Sequence, residues 1–174
     1  GEILITFGLA EETSAPSRLE LPVPQMFRFG LEWKLSPKFL VRNEIEFSQW
    51  SILERQRSVN LDNGEFLLDV AREFSDTYKN RLSGKWKLNE GASILGLLSY
   101  ETGATPTRTH EPGLAESNHF EFGLGGTWSF KRDWTLKSSF VWQEFDDVTV
   151  TDSVQKPPQN GHYTDRRLFL TTEM

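Results

Sequence analysis

The 174 residues contain no cysteine, which excludes disulfides, thiolate metal sites and thiol nucleophiles. No apolar run approaches twenty residues and mean hydropathy is -0.49, so no segment can cross a membrane as a helix. That exclusion does not reach a membrane barrel, where every second residue faces away from lipid and is free to be polar. A basic excess is also lacking. Nineteen Lys and Arg stand against 25 Asp and Glu, a net charge of -6 with both signs mixed along the chain, and this argues against nucleic acid as a partner. The opening Gly1-Glu2-Ile3 has no basic-then-apolar signal segment, as expected of a matured chain or of a piece of a longer one.

What is abundant is alternation with a period of two, together with 13% aromatic residues. From Met26 to Leu35 one face collects Phe27, Phe29, Leu31, Trp33 and Leu35, and the other Arg28, Gly30, Glu32 and Lys34. After Ser36-Pro37-Lys38, Val41, Ile45 and Phe47 oppose Arg42, Glu44 and Glu46, with Asn43 interrupting the apolar face. Tyr78, Leu82, Gly84, Trp86 and Leu88 then alternate with Lys79, Arg81, Ser83, Lys85 and Lys87. The strand from Ala92 to Tyr100 is apolar on both sides and its orientation is open. Phe120, Phe122, Leu124, Trp128 and Phe130 oppose Glu121, Gly123, Gly125, Thr127 and Ser129. Past Lys131-Arg132-Asp133, Trp134, Leu136, Phe140 and Trp142 alternate with Thr135, Lys137, Ser139, Val141 and Gln143.

The connections alternate in length. They are short at 36–38, 89–91 and 131–133, and long at 11–24, 51–75, 101–117 and 146–162. Membrane barrels have this asymmetry because alternate hairpin ends face different compartments, with short turns on the periplasmic side. The 51–75 connection is expected to continue as a hairpin with its tip at Asn60-Leu61-Asp62-Asn63-Gly64. Trp33, Trp86, Trp128, Phe130 and Trp134 lie toward the short turns, and Trp50 and Trp142 toward the long loops, as an interfacial aromatic girdle requires. The pattern predicts an all-β fold: an antiparallel transmembrane β-barrel domain of the bacterial outer membrane, embedded in its lipid, with about eight strands and no second domain. A soluble β-sandwich or lipocalin-like barrel also alternates, but turns its apolar face inward.

The order of several motifs resembles the C-terminal part of the FadL/TodX family of outer-membrane transporters. Leu21-Pro22 leads into a strand with Gly30 and Trp33, and its partner ends in Trp50-Ser51. Asp76 and Tyr78 precede Arg81-Leu82-Ser83-Gly84-Lys85-Trp86, similar to the family's Arg-x-x-Gly-x-aromatic strand. Glu111-Pro112, Gly123 to Phe130 and Phe145-Asp146-Asp147 resemble its last loop, its Gly-rich aromatic strand and the end of its penultimate strand, and Gly161-His162-Tyr163 the start of its closing strand. The resemblance implies passage of hydrophobic compounds such as long-chain fatty acids, without a cofactor, through a 14-stranded barrel with an N-terminal hatch. This sequence holds about half of those strands, so the alternatives are part of that larger barrel completed by an N-terminal portion, completion by a partner chain, or a whole small barrel. Pairing of a strand over 2–10 with one over 163–172 would mark self-closure.

On this reading Arg28, Glu32, Arg42, Glu44, Lys79, Arg81, Lys85 and Glu121 face the lumen as candidate ligand-path residues. The basic row Lys79, Arg81, Lys85 and Lys87 is a candidate for attracting an anionic head group. If about eight strands close alone, side chains fill the interior, and the expectation becomes a structural barrel whose long loops bind a partner. An acyl-modifying enzyme or protease would need a set such as Ser117, His119 and Glu121, which strand spacing alone does not assemble. Asp146, Asp147 and Asp152 lack the glycine-bearing loop of a calcium site, so no metal is expected.

Overall fold

The computed structural model describes residues 16–114, 116–131 and 134–174. Seven antiparallel strands form one meandering wall: β2 (Met26–Lys34), β3 (Phe39–Ser48), β6 (Thr77–Lys87), β7 (Ala92–Glu101), β8 (His119–Lys131), β9 (Trp134–Phe145) and β12 (Arg166–Glu173), hydrogen-bonded in that order. Strands of 8 to 13 residues suit a hydrocarbon layer about 30 Å thick crossed at a tilt. β2 and β12 are the edges of this sheet among the described residues. The strand expected over 2–10 lies outside the described residues, as do positions 11–15 of the first long connection and 132–133 of the third short turn.

The short turns are built by side chains that replace backbone partners. Ser36 Oγ accepts from the amides of Lys38 (3.2 Å) and Phe39 (3.0 Å), and Asn89 Oδ1 accepts from the Gly91 amide (2.8 Å). The long connections carry structure of their own. β1 (Ser17–Glu20) pairs with β4 (Arg55–Asn60), which pairs with β5 (Phe66–Ala71), so the expected hairpin is present and gains a third strand from the preceding connection. Its tip turns at Gly64, φ +75, with Asn60 and Asn63 side chains accepting from the amides of Asp62 and Glu65. On this hairpin Asp69 Oδ1 accepts from Arg55 (2.8 Å) and Arg57 (3.2 Å), which holds its carboxyl below the ordinary range, the Arg55 bond contributing most. A further pair, β10 (Val148–Val150) and β11 (Gly161–Tyr163), lies in the last connection. Gly161-His162-Tyr163 is therefore not the start of the closing strand. It is a separate arm of a loop hairpin, and the closing strand begins at Arg166, where pairing with Glu144 of β9 starts.

The two faces of the wall are inverted relative to a soluble barrel. Leu53, Ala104, Phe145 and Val150 are the only buried apolar residues among those described, and there is no apolar interior. On the apolar face Leu124 is 52% exposed, whereas Glu121 on the other face is 8% exposed. Leaving each large apolar side chain in water would forgo roughly 1.5–3 kcal/mol of burial, so a face carrying Phe27, Phe29, Leu82, Trp86, Phe122 and Leu124 is stable only against lipid. A polar pair interrupts it at Asn43 and Asn80: Asn43 Nδ2 donates to Asn80 Oδ1 (3.1 Å) and to the Arg81 carbonyl (3.3 Å), so its amide donor is satisfied on the lipid side.

Candidate functional site

Cross-strand register sorts the inner face into rows, because residues directly opposite one another point the same way. Nearest the long loops, Arg28, Glu46, Lys79, Glu101 and His119 stand side by side on five successive strands, the first four alternating in sign. Arg28 Nε donates to Glu46 at 2.6 Å, Lys79 Nζ lies 2.7 Å from Glu101, and His119 Nε2 lies 3.6 Å from the same carboxylate. The next row runs Gly30, Glu44, Arg81, Ser99, Glu121, Gln143 and Arg167. Here Arg42, from the row below, reaches Glu44 (2.7 Å), Arg81 lies 3.5 Å from Glu121, and Gln143 Nε2 donates to Glu121 (2.8 Å). Of the predicted ligand-path residues, Arg28, Arg42, Glu44, Lys79, Arg81 and Glu121 therefore join one balanced ladder. Glu32 lies opposite Arg42 without an ion pair among the described residues.

The following row changes character: Glu32, Arg42, Ser83, Leu97, Gly123, Val141 and Phe169. Its second half is an apolar ribbon on the polar side of the wall, extended by Leu95 one row further on. Gly123 makes the ribbon smooth, since a Cβ there would lie 3.1 Å from Leu97 Cβ. The mirror arrangement occurs on the lipid face, where the Trp128 ring occupies the space a Cβ on Gly126 would need. Sequence reasoning left β7 unassigned between faces, and it missed Leu95, Leu97, Val141 and Phe169. The usable signal was the pair of glycines two apart on the neighbouring strand, which only a known register converts into a groove.

Toward the short turns the lumen face becomes basic. Lys34, Lys38, Lys85 and Lys87 line a hollow of about 590 Å³ together with Leu40 and one carboxylate, Glu90, and none of the four lysines makes an ion pair among the described residues. The predicted basic row thus divides: Lys79 and Arg81 are neutralised by Glu101 and Glu121, while Lys85 and Lys87 are not. Of the girdle residues, Trp33, Trp86, Trp128, Trp134 and Trp142 stand exposed on the lipid face. Trp50 lies in a 3-10 turn with its ring edge-on to Phe74 at 6.1 Å.

The Ser117, His119 and Glu121 set is not assembled. Ser117 Oγ donates to the Asp146 carbonyl (2.7 Å), His119 stacks on Phe145 at 4.5 Å, and Glu121 is engaged by Arg81 and Gln143. Among the described residues no group of three or more His, Cys, Asp or Glu comes together to hold a metal ion.

The family model described as outer membrane protein transport protein (OMPP1/FadL/TodX) matches residues 2–168. A 47 kDa outer membrane protein of Pasteurella multocida (strain Pm70) is 20% identical over 126 residues, 72% of this chain and 29% of that protein. A Pseudomonas aeruginosa FadL homologue superposes with a TM-score of 0.71 at 14% identity, covering 91% of this chain and 35% of the homologue. The P. putida toluene transporter TodX gives 0.59 at 14% identity over 80% of this chain and 33% of its own. The CymD monoaromatic hydrocarbon channel gives 0.58 at 13% identity over 83% and 38%. At these identities the solved structures show the fold, and the chain spans only about a third of the length of the relatives it matches.

Proposed function

This chain belongs to the OMPP1/FadL/TodX family of outer membrane transport proteins, and on that ground we propose that its seven strands are part of the wall of an outer-membrane barrel that admits hydrophobic compounds, with an anionic amphiphile such as a long-chain fatty acid as substrate. The observation that carries this reading is the polarity order down the inner face: a charge-balanced ladder, then the ribbon Leu97, Val141 and Phe169, then four unpaired lysines. Unpaired lysines in water cost little, so the cluster alone means little. Its position gives it weight, because Lys85 is directly opposite Leu95, so a negative head group and an apolar tail would find adjacent partners on neighbouring strands. The ladder near the long loops is already neutral and would not hold an anion on its way in.

The test is uptake by bacteria carrying the full-length protein with Lys85→Gln and Lys87→Gln together. Entry of a long-chain fatty acid is expected to fall about three- to tenfold, the effect of roughly one lost charge contact, while a neutral hydrocarbon of matched length enters as before. Unchanged fatty-acid entry, or an equal loss for both compounds, would overturn the head-group assignment.

A further inference from the structure

The lipid face changes character next to the long loops. Register puts Asn80, Tyr100, Phe120, Glu144 and Arg166 side by side on β6, β7, β8, β9 and β12, on the same side of the wall as Leu82, Phe122 and Trp142. Among the described residues, the lipid-facing rows beneath this one, down to Ala92, Trp128 and Leu136, carry no charge. The polar side chains in them are partnered: Asn43 donates to Asn80, and the Ser138 and Thr172 hydroxyls lie 3.4 Å apart. The outer row differs. Glu144 Oε1 accepts from Arg166 Nε at 2.7 Å, which anchors the guanidinium and leaves NH1 and NH2 without a hydrogen-bond partner among the described residues on a side chain that is 75% exposed. Asn80 is exposed and uses only its Oδ1, so its amide donor is idle. The Tyr100 hydroxyl is idle too, and its ring lies 4.8 Å from that of Phe120, both exposed.

We propose that this row docks the head group of a phosphorylated, multi-chain glycolipid of the outer leaflet, with a phosphate on Arg166 and its sugar and acyl-carbonyl oxygens on Tyr100 and Asn80. The idle groups are all able to donate, so the surface that complements them is rich in acceptors. A guanidinium with two free nitrogens matches a phosphate in particular. An amide donor left idle against hydrocarbon costs far more than one in water, and a lipid oxygen removes that cost. Width selects the class of lipid. From β6 to β12 is four strand spacings, about 19 Å, wider than the head group of a single two-chain lipid. Sugar C–H bonds carry partial positive charge and rest well on the negative faces of Tyr100 and Phe120. The long loops face the cell exterior, so the row lies in the leaflet that holds such glycolipids. The neighbouring carboxylates Asp146 and Asp165 are already engaged by Asn118 (3.0 Å) and Arg167 (2.6 Å), which lessens their repulsion of a phosphate. The inference rests on the two faces of the wall and not on what passes through the lumen.

The test uses the full-length protein in detergent micelles and native mass spectrometry, with lipid A and, separately, phosphatidylglycerol as probes. Lipid A is expected to bind saturably and about tenfold or more tightly than phosphatidylglycerol, the scale of one charge-assisted hydrogen bond. Arg166→Gln should weaken lipid A about tenfold, and Asn43→Leu with Asn80→Leu, which removes the asparagine pair together, about threefold. Ser138→Leu, on the same face near the short turns, should leave lipid A binding unchanged. A second measurement separates docking from folding: in vesicles of phosphatidylcholine alone, the double leucine variant is expected to keep or raise the urea midpoint, since leucine suits a lipid face better than asparagine. Equal binding of phosphatidylglycerol overturns the proposal, as does lipid A binding unchanged by either outer-row variant or weakened equally by Ser138→Leu. A lower urea midpoint for the double variant also overturns it, by making the asparagines structural partners of each other and not lipid contacts.

Discussion

His110, buried with neither ring nitrogen meeting a hydrogen-bond partner among the described residues, couples the loops to pH. Because burial lowers the pKa of His110 in the folded protein, the opened chain binds the extra proton more readily. The sign follows: above the ordinary histidine value of about 6.5 the ring is neutral in both states and contributes no pH dependence, and as pH falls below it the packed loops lose stability relative to the open ones. Hydrogen-exchange protection of residues 102–114, taken relative to the intrinsic rate at each pH, should fall between pH 7.5 and 5, and His110→Phe should remove most of that fall. Protection in this segment whose pH dependence matches that of the wall strands would contradict the assignment. Single residues matter equally in the wall, where Gly123 lets Leu97 lie close and Gly126 makes room for Trp128.

At the scale of elements, the long connections behave as one packed unit with Arg72 at its centre. Its guanidinium is 8% exposed, donates to Gln56 Oε1 through Nε (3.0 Å) and NH2 (2.7 Å), and pairs with Glu111, so it ties the β4–β5 hairpin to the connection that follows β7. Arg72→Met keeps the stem and removes these bonds, at a local cost of roughly 1–3 kcal/mol for the buried groups left unpaired. Limited proteolysis should then cut within 102–118 about tenfold faster while the wall strands stay protected. Protection retained in that segment would show that the apolar contacts of the loops suffice. The wall itself does not depend on these ties, since each of its strands finds a neighbour through short turns or register alone.

At the scale of the whole molecule, the two faces of the sheet should answer differently to the same charge. Leu124 and Leu97 are both leucines near the middle of neighbouring strands, one on the lipid face and one on the lumen face. Leu124→Arg is expected to cost about 2–4 kcal/mol of folding stability in a bilayer, the penalty for a cation near the midplane of a barrel's outer surface. Leu97→Arg should cost less than half of that and alter passage of hydrophobic compounds instead. Equal costs, measured by urea titration in lipid vesicles, would mean that the faces are wrongly assigned.

How much was visible beforehand differs with scale in the same way. Period-two alternation is a local property, so the strands of the wall, its lipid face, the short turns at 36–38 and 89–91 and the hairpin tip at Asn60 to Gly64 were legible from residue order. The face of β7 was not, because Ile94, Leu95, Leu97 and Leu98 look alike until pairing with β8 puts Leu97 over Gly123 and Leu98 beside Phe122. Nor was the division of the basic row, since Lys79 and Lys85 differ only in what stands across from them on β7, a carboxylate at Glu101 and a leucine at Leu95. The loop packing around His110 left no trace in periodicity at all. His110 and Tyr163 are 53 positions apart in the chain, counting 163 less 110, and meet only because two irregular connections pack on each other. Hydrophobic alternation along a strand is written in consecutive residues, whereas charge neutralisation, grooves and buried orphan atoms depend on register and loop packing that join distant parts of the chain.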